Sequence, residues 1–154
     1  MKAVIQRVTS ASVEVEGQTV GSCNKGYMVL FGAAEGDTAE DAVLLAKKTA
    51  NLRVFEDADG KMNKSILDIG GEILAISQFT LLADVKKGNR PSFINALEPV
   101  AAEKLYNIYC EELLKNGVNK VAKGVFGADM KVSLCNDGPV TILYDTEIWR
   151  KNGN

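Results

Sequence analysis

Histidine is absent from the 154 residues. That excludes Ser-His-Asp and Cys-His catalytic groupings and zinc sites built on imidazole. Proton transfer near neutral pH must then come from Asp, Glu, Lys or Tyr with shifted pKa values, from water, or from the substrate itself. Cysteine is scarce. Cys23, Cys110 and Cys135 are odd in number, far apart and without a Cys-x-x-Cys pair, which points to reduced thiols in a cytosolic protein, each a small buried hydrophobe. No apolar run nears the ~20 residues of a membrane span, and Met1-Lys2 runs straight into a strand-like segment, so a mature N-terminus without a secretory signal is expected. Gly-x-x-x-x-Gly-Lys-[Ser/Thr] does not occur, so Gly32 to Gly36 is no P-loop, and no dinucleotide fingerprint follows a strand. Asp57-Ala58-Asp59-Gly60 has the look of a calcium-loop fragment, but Lys61 stands where a ligand is needed; an ordinary turn fits better. Repeats, low-complexity tracts and interdomain linkers are missing too.

What is present is globular. Hydrophobic residues at 46% and charged residues at 25% exclude disordered and collagen-like classes. The length suits one domain burying ~70% of the surface its unfolded chain exposes. A net charge of −2 argues against a protein that coats long nucleic acid. It leaves room for a local basic patch that grips one RNA end.

Lys2 to Thr9 reads as a strand, and Ser12 to Glu16 alternates, turns at Gly17 and continues as Gln18 to Cys23, a hairpin. Tyr27 to Gly32 is apolar on both faces and belongs in the middle of a sheet. A helix over about Ala39 to Asn51 carries Ala39, Ala42, Val43, Ala46 and Ala50 as its apolar stripe, with Asp37 or Thr38 as N-cap. Leu52 to Glu56 is a strand, Lys61 to Gly71 a loop, and Glu72 to Ile76 a β-run ending in Ser77-Gln78-Phe79-Thr80-Leu81. Ala83 to Phe93 is a basic loop stiffened by Pro91, and Pro99 opens a second helix that Gly117 ends. Asp129 to Cys135 and Val140 to Tyr144 are the last strands. The resulting expectation is an α+β fold: a single domain over residues 1–146 with a mostly antiparallel, barrel-like sheet and two main helices. A polar tail, loosely held, covers residues 147–154.

Two segments are odd. Ser77 to Leu81 puts an amide and hydroxyls at the end of an aliphatic strand, where buried polar atoms must each find a partner. Asn136-Asp137-Gly138-Pro139-Val140-Thr141 carries an ordinary hairpin signal, but the proline directly after Gly138 alters it. From the residues alone, a trans Gly138-Pro139 turn is the default.

In chain order, Ile5-Gln6-Arg7-Val8, Asn51 to Phe55, Gly60 to Asn63, Ser77 to Leu81, Lys87 to Phe93, Phe126 to Met130 and Asn136 to Thr141 together resemble the D-aminoacyl-tRNA deacylase family. The ordered set spans nearly the whole chain, leaving only the residues after about Asp145 unmatched. The resemblance implies a cytoplasmic enzyme that hydrolyses the ester between a D-amino acid, or glycine, and the terminal ribose of tRNA. It also implies a homodimer in which a cis Gly138-Pro139 loop enters the partner's pocket, with Arg7 holding that loop. Phe126 and Met130 would line the pocket for the terminal adenosine. Ser77, Gln78 and Phe79 would complete the substrate contacts, and Gln78, Phe79 and Thr80 the catalytic segment. Lys86, Lys87 and Arg90 would meet tRNA phosphates; Asn89 departs from the arginine often found there. No metal or cofactor is implied.

Two chemical routes are compatible with these residues. In one, Thr80 is a nucleophile, but its hydroxyl needs a base and no histidine exists. In the other, which fits better, the ribose 2′-hydroxyl helps activate water while N–H groups around Phe79 and Thr80 stabilise the oxyanion. A non-enzymatic RNA-end binder and a small-molecule D-amino ester hydrolase are the rival readings.

Overall fold

The computed structural model describes residues 1–150. A long strand β1 (Lys2–Val15) organises the sheet. It pairs antiparallel with β2 (Gln18–Cys23), β3 (Gly26–Gly32) and β8 (Lys131–Asp145). The chain then adds α1 (Ala39–Asn51), the hairpin β4 (Arg53–Glu56) and β5 (Met62–Ser65), the one-turn α2 (Ile66–Ile69) and β6 (Glu72–Ser77). A 3-10 turn (Phe79–Leu82), α3 (Pro99–Lys115) and β7 (Lys120–Lys123) precede β8, and a second 3-10 turn (Thr146–Trp149) follows it. The main sheet runs β2-β1-β3-β6-β7, with β8 also on β1. Antiparallel pairs dominate, as expected, and the β3-β6 and β6-β7 pairs add a parallel segment. The sheet curls until β2 meets β7: a Cβ at Gly21 would lie 2.6 Å from the Lys123 carbonyl, and only a residue without one permits that closure.

Packing follows from the two faces of β3 and β6. Tyr27, Val29, Phe31, Ile73 and Ala75 face α1 and α3, against Leu45, Ala46, Leu105, Tyr109 and Leu113. Met28, Leu74 and Ile76 point into the barrel, against Val8, Val13 and Cys23. Strands buried on both sides read as continuous apolar runs, as Tyr27 to Gly32 does. Each of these large side chains contributes roughly 1.5–3 kcal/mol when fully buried.

Several expectations are corrected. The inward stripe of α1 is Ala42, Leu45, Ala46, Thr49 and Ala50; Ala39 and Val43 are exposed. Thr49 is tolerated inside because its hydroxyl bonds the Leu45 carbonyl at 2.8 Å and the Tyr109 hydroxyl at 3.0 Å. The expected loop at 61–71 contains β5 and α2, the latter closed by a reciprocal Ser65–Asp68 capping box and a left-handed Gly70. The last two expected strands are one strand, β8. Cys23 and Cys110 are buried as expected, and burial pushes each thiol up to about 11, but Cys135 is exposed on β8.

The tail is not loose as far as Arg150. Trp149 packs edge-on against Tyr144 and beneath the Lys48 ammonium, and Arg150 bridges Asp37 at 2.7 Å and Asp41 at 3.1 Å. Asp37 also holds the Met1 ammonium at 2.6 Å, both groups being buried. Positions 151–154 of the expected tail lie outside the described residues. No helix among the described residues is long and apolar enough to cross a membrane.

Candidate active site

The parallel strands β3, β6 and β7 deliver their C-terminal ends to one place, and α3 begins beside them. A cavity of about 590 Å³ opens there. The C-terminal ends of parallel strands are common ligand sites because the chain leaves them as loops with free backbone groups. Phe31 and Gly32 come from β3, Ser77 to Phe79 from the end of β6, and Phe126 to Met130 from the loop after β7. Pro99 and Ala102 of α3 form the remaining wall, together with Phe93, Leu97 and Glu98.

Phe126 is positioned by a buried column. Its ring lies 6.2 Å from that of Tyr106, whose hydroxyl donates to the Ala75 carbonyl at 2.7 Å, while the Lys123 ammonium covers the Tyr106 face at 5.1 Å. Burial raises the pKa of Tyr27, Tyr106 and Tyr109 far above the usual phenol value, so these tyrosines stay neutral and cannot act as bases. Met130 crosses the cavity wall over Gly124, where a Cβ would sit 2.6 Å from its sulfur. The pocket is thus aromatic and thioether in character, with Ser77, Gln78, Glu98 and Asp129 as its polar members. Glu98 is occupied in capping α3, accepting from Val100 and Ala101, and Asp129 pairs with Lys131 at 3.2 Å.

Ser77, Gln78, Phe79, Phe126 and Met130 therefore come together around one cavity. Thr80 lies just outside it, exposed, and its hydroxyl accepts from the Gln78 side-chain amide. Among the described residues nothing accepts from the Phe79 or Thr80 N–H; as the first residues of the 3-10 turn they have no partner within it. Two backbone donors are left at the cavity's edge. Backbone donors of this kind can stabilise a developing oxyanion when both point at it.

Arg7, Gly138 and Pro139 do not line the cavity of their own chain. In the β1-β8 ladder Gln6 pairs with Thr141 and Val8 with Asn136, so Asp137 to Val140 are extruded opposite Arg7 alone. The segment is a bulge within β8, not the expected hairpin turn. The Gly138-Pro139 peptide is cis, as the resemblance implies and contrary to the trans default. Buried Arg7 donates from Nε to the Asp137 carbonyl at 2.9 Å and from Nη1 to the Val54 carbonyl at 2.6 Å, fixing the root of the bulge while its tip stays exposed.

Lys86, Lys87 and Arg90 are exposed and, among the described residues, have no acidic partner within 4 Å. Reciprocal backbone bonds between Asp84 and Ser92, 2.7 and 2.9 Å, clamp the base of their loop. The sequence reading omitted Phe93, Glu98 and Ala102 from the site. Phe93 lies within the Lys87 to Phe93 motif, a signal present in the sequence; nothing local marks the other two. Among the described residues no cluster of acidic or thiol side chains suits a metal ion.

Comparison with known proteins fits this geometry. The family model for D-Tyr-tRNA(Tyr) deacylase matches residues 4–145. A D-aminoacyl-tRNA deacylase from Clostridium botulinum (strain 657 / Type Ba4) is 56% identical over 146 residues, covering 95% of this chain and 97% of the relative. One from Clostridium novyi (strain NT) is 53% identical over 147 residues, covering 96% and 98%. Among solved structures, the c-Myc DNA Unwinding Element Binding Protein superposes with a TM-score of 0.88 at 46% identity, over 94% of this chain and 98% of that one. A probable eukaryotic D-amino acid tRNA deacylase shares the fold with a TM-score of 0.78 at 17% identity, over 93% and 97%.

Proposed function

The chain belongs to the D-Tyr-tRNA(Tyr) deacylase family, and from that premise we propose how this hydrolase works: it cleaves D-aminoacyl-tRNA at the ester and proofreads by handedness. The observation that carries the reading is the cavity, where an aromatic and thioether wall suited to a nucleobase stands beside two backbone N–H donors that are unpaired among the described residues. The terminal adenosine occupies the Phe126 and Met130 wall, and the ester carbonyl turns toward the Phe79 and Thr80 N–H groups. Each such donor is typically worth ~3 kcal/mol of transition-state stabilisation.

The ribose 2′-hydroxyl helps activate the attacking water, because the carboxylates among the described pocket residues are engaged, Glu98 at the start of α3 and Asp129 with Lys131. Thr80 is a poor nucleophile: its hydroxyl is held by an amide donor, which cannot take a proton. Gln78 thus orients the catalytic turn, and Ser77 contacts substrate at the strand end.

A bulge with its root fixed and its tip exposed is suited to enter a second copy. In the proposed homodimer the Gly138-Pro139 tip forms the missing wall of the partner's cavity. A main-chain wall meets every L side chain at its Cβ and leaves D side chains and glycine free, so glycyl-tRNA is also a substrate. Lys86, Lys87 and Arg90 hold the acceptor-end phosphates, and so local a contact suits a protein of net charge −2. The site of action is the cytoplasm, and the reaction needs no metal or cofactor.

The test is hydrolysis of D-tyrosyl-tRNA by purified protein in EDTA, beside D-tyrosine methyl ester. Rapid release from the tRNA with little from the free ester is expected. Equal rates would favour a general D-amino ester hydrolase, and adenosine binding without turnover a non-catalytic RNA-end binder.

A further inference from the structure

Beside the cavity mouth stand two aromatic rings that the terminal nucleoside does not account for. Phe79 is 56% exposed and Phe93 36%, and their rings meet edge to face at 5.0 Å and 71°. Exposed aromatic pairs are poor surface unless something covers them. Phe93 is held in a frame. The Asp84–Ser92 clamp precedes it, and after it the Ala96 N–H donates to its carbonyl at 3.0 Å while the Leu97 N–H reaches the Ala33 carbonyl, also at 3.0 Å. Both rings face the cavity on one side. On the other, Phe93 closes the loop that carries Lys86, Lys87 and Arg90, none with an acidic partner among the described residues.

We infer that the Phe79–Phe93 pair is a second nucleotide subsite, on which the base preceding the terminal adenosine stacks. The inference rests on the deacylase reading and extends it outward from the cavity. A nucleic-acid strand leaving the pocket toward three cations crosses these rings first. Stacking on an aromatic face accepts any base, whereas phosphate contacts set register, so the two devices are complementary. The apolar rings and adjacent cations match a single strand better than a protein face, since every nucleotide offers a flat base and an anion together. Phe79 thereby joins two tasks, with its N–H at the ester and its ring under the neighbouring base.

The experiment compares D-tyrosyl-adenosine with D-tyrosyl-CpA, both esterified at the terminal ribose. For the unaltered protein, kcat/KM is expected to rise about tenfold when the cytidine is added. In Phe93→Ala that gain should fall to about twofold or less, in Phe93→Trp it should persist, and a CpA analogue with an abasic penultimate position should lose the same gain. The two losses should not add, because they remove one contact from opposite sides. No gain in the unaltered protein, or a Phe93→Ala effect equal on both substrates, overturns the subsite. Failure to hydrolyse either compound or intact D-tyrosyl-tRNA would instead overturn the deacylase reading.

Discussion

Replacing the terminal ribose by 2′-deoxyribose is expected to slow hydrolysis of a D-aminoacyl ester by about 10²- to 10⁴-fold, the range in which positioned acid–base groups contribute. Thr80→Ala should cost less than about tenfold. The contrast follows from what surrounds each hydroxyl. That of Thr80 has the Gln78 amide as its partner, and the nearby Asp84 carboxylate accepts from the Lys86 N–H. Histidine is absent and the buried tyrosines are kept neutral. A 2′-hydroxyl arrives with the substrate, adjacent to the bond that breaks, and needs no protein base placed beforehand. Single-turnover rates on matched ribo and deoxy substrates decide the point. A Thr80→Ala protein that folds normally yet loses all turnover would hand the chemistry to Thr80.

The second large effect concerns the bulge. Gly138 has a φ of 125°, where L side chains rarely sit, and an added Cβ would lie 2.8 Å from Arg7 Nη2 and 3.0 Å from Val140 Cγ2. Gly138→Ala must move either the tip or the guanidinium. The expected result is a rise of at least tenfold in the L-to-D rate ratio, about 1.4 kcal/mol of discrimination lost. Arg7→Ala should act in the same direction, because the Asp137 and Val54 carbonyls lose their donor, and should also destabilise the fold by about 1–3 kcal/mol. Hydrolysis of D- and L-tyrosyl-tRNA, with a denaturant melt of each variant, measures both. A Gly138→Ala protein that refuses L-tyrosyl-tRNA as firmly as before would place the filter elsewhere.

Local signals carried much of this structure. The Gln18 to Cys23 hairpin, the bounds of α1, the proline at the start of α3 and the doubly buried β3 all follow from patterns within a few residues. The parallel β3-β6-β7 arrangement does not, because partners far apart in sequence choose each other by shared burial, and Lys120 to Lys123 is too short and polar to announce itself. Leu45 and Thr49 lie on the inner face of α1 where Ala39 and Val43 were expected, and Thr49 is accepted there because Tyr109 supplies a hydroxyl partner that no local pattern contains. The Ser65-x-x-Asp68 cap is a local signal for the one-turn α2 inside the stretch expected as loop. Trp149 and Arg150 turned out to be held by Tyr144, Lys48, Asp37 and Asp41, contacts that only the fold brings within reach. For the site, ordered motifs marked the strand ends, while Glu98 and Ala102 entered through the placement of α3.

The most direct test of a main-chain filter varies the side chain and keeps the handedness. D- and L-esters of alanine, aspartate, phenylalanine and tyrosine on tRNA would be hydrolysed under one set of conditions, with glycyl-tRNA alongside. A wall that meets Cβ predicts that all four L-esters are refused alike, L-alanyl included, while the D-esters and the glycyl ester react. L-rates graded by side-chain size, with L-alanyl-tRNA cleaved nearly as fast as its D counterpart, would contradict it.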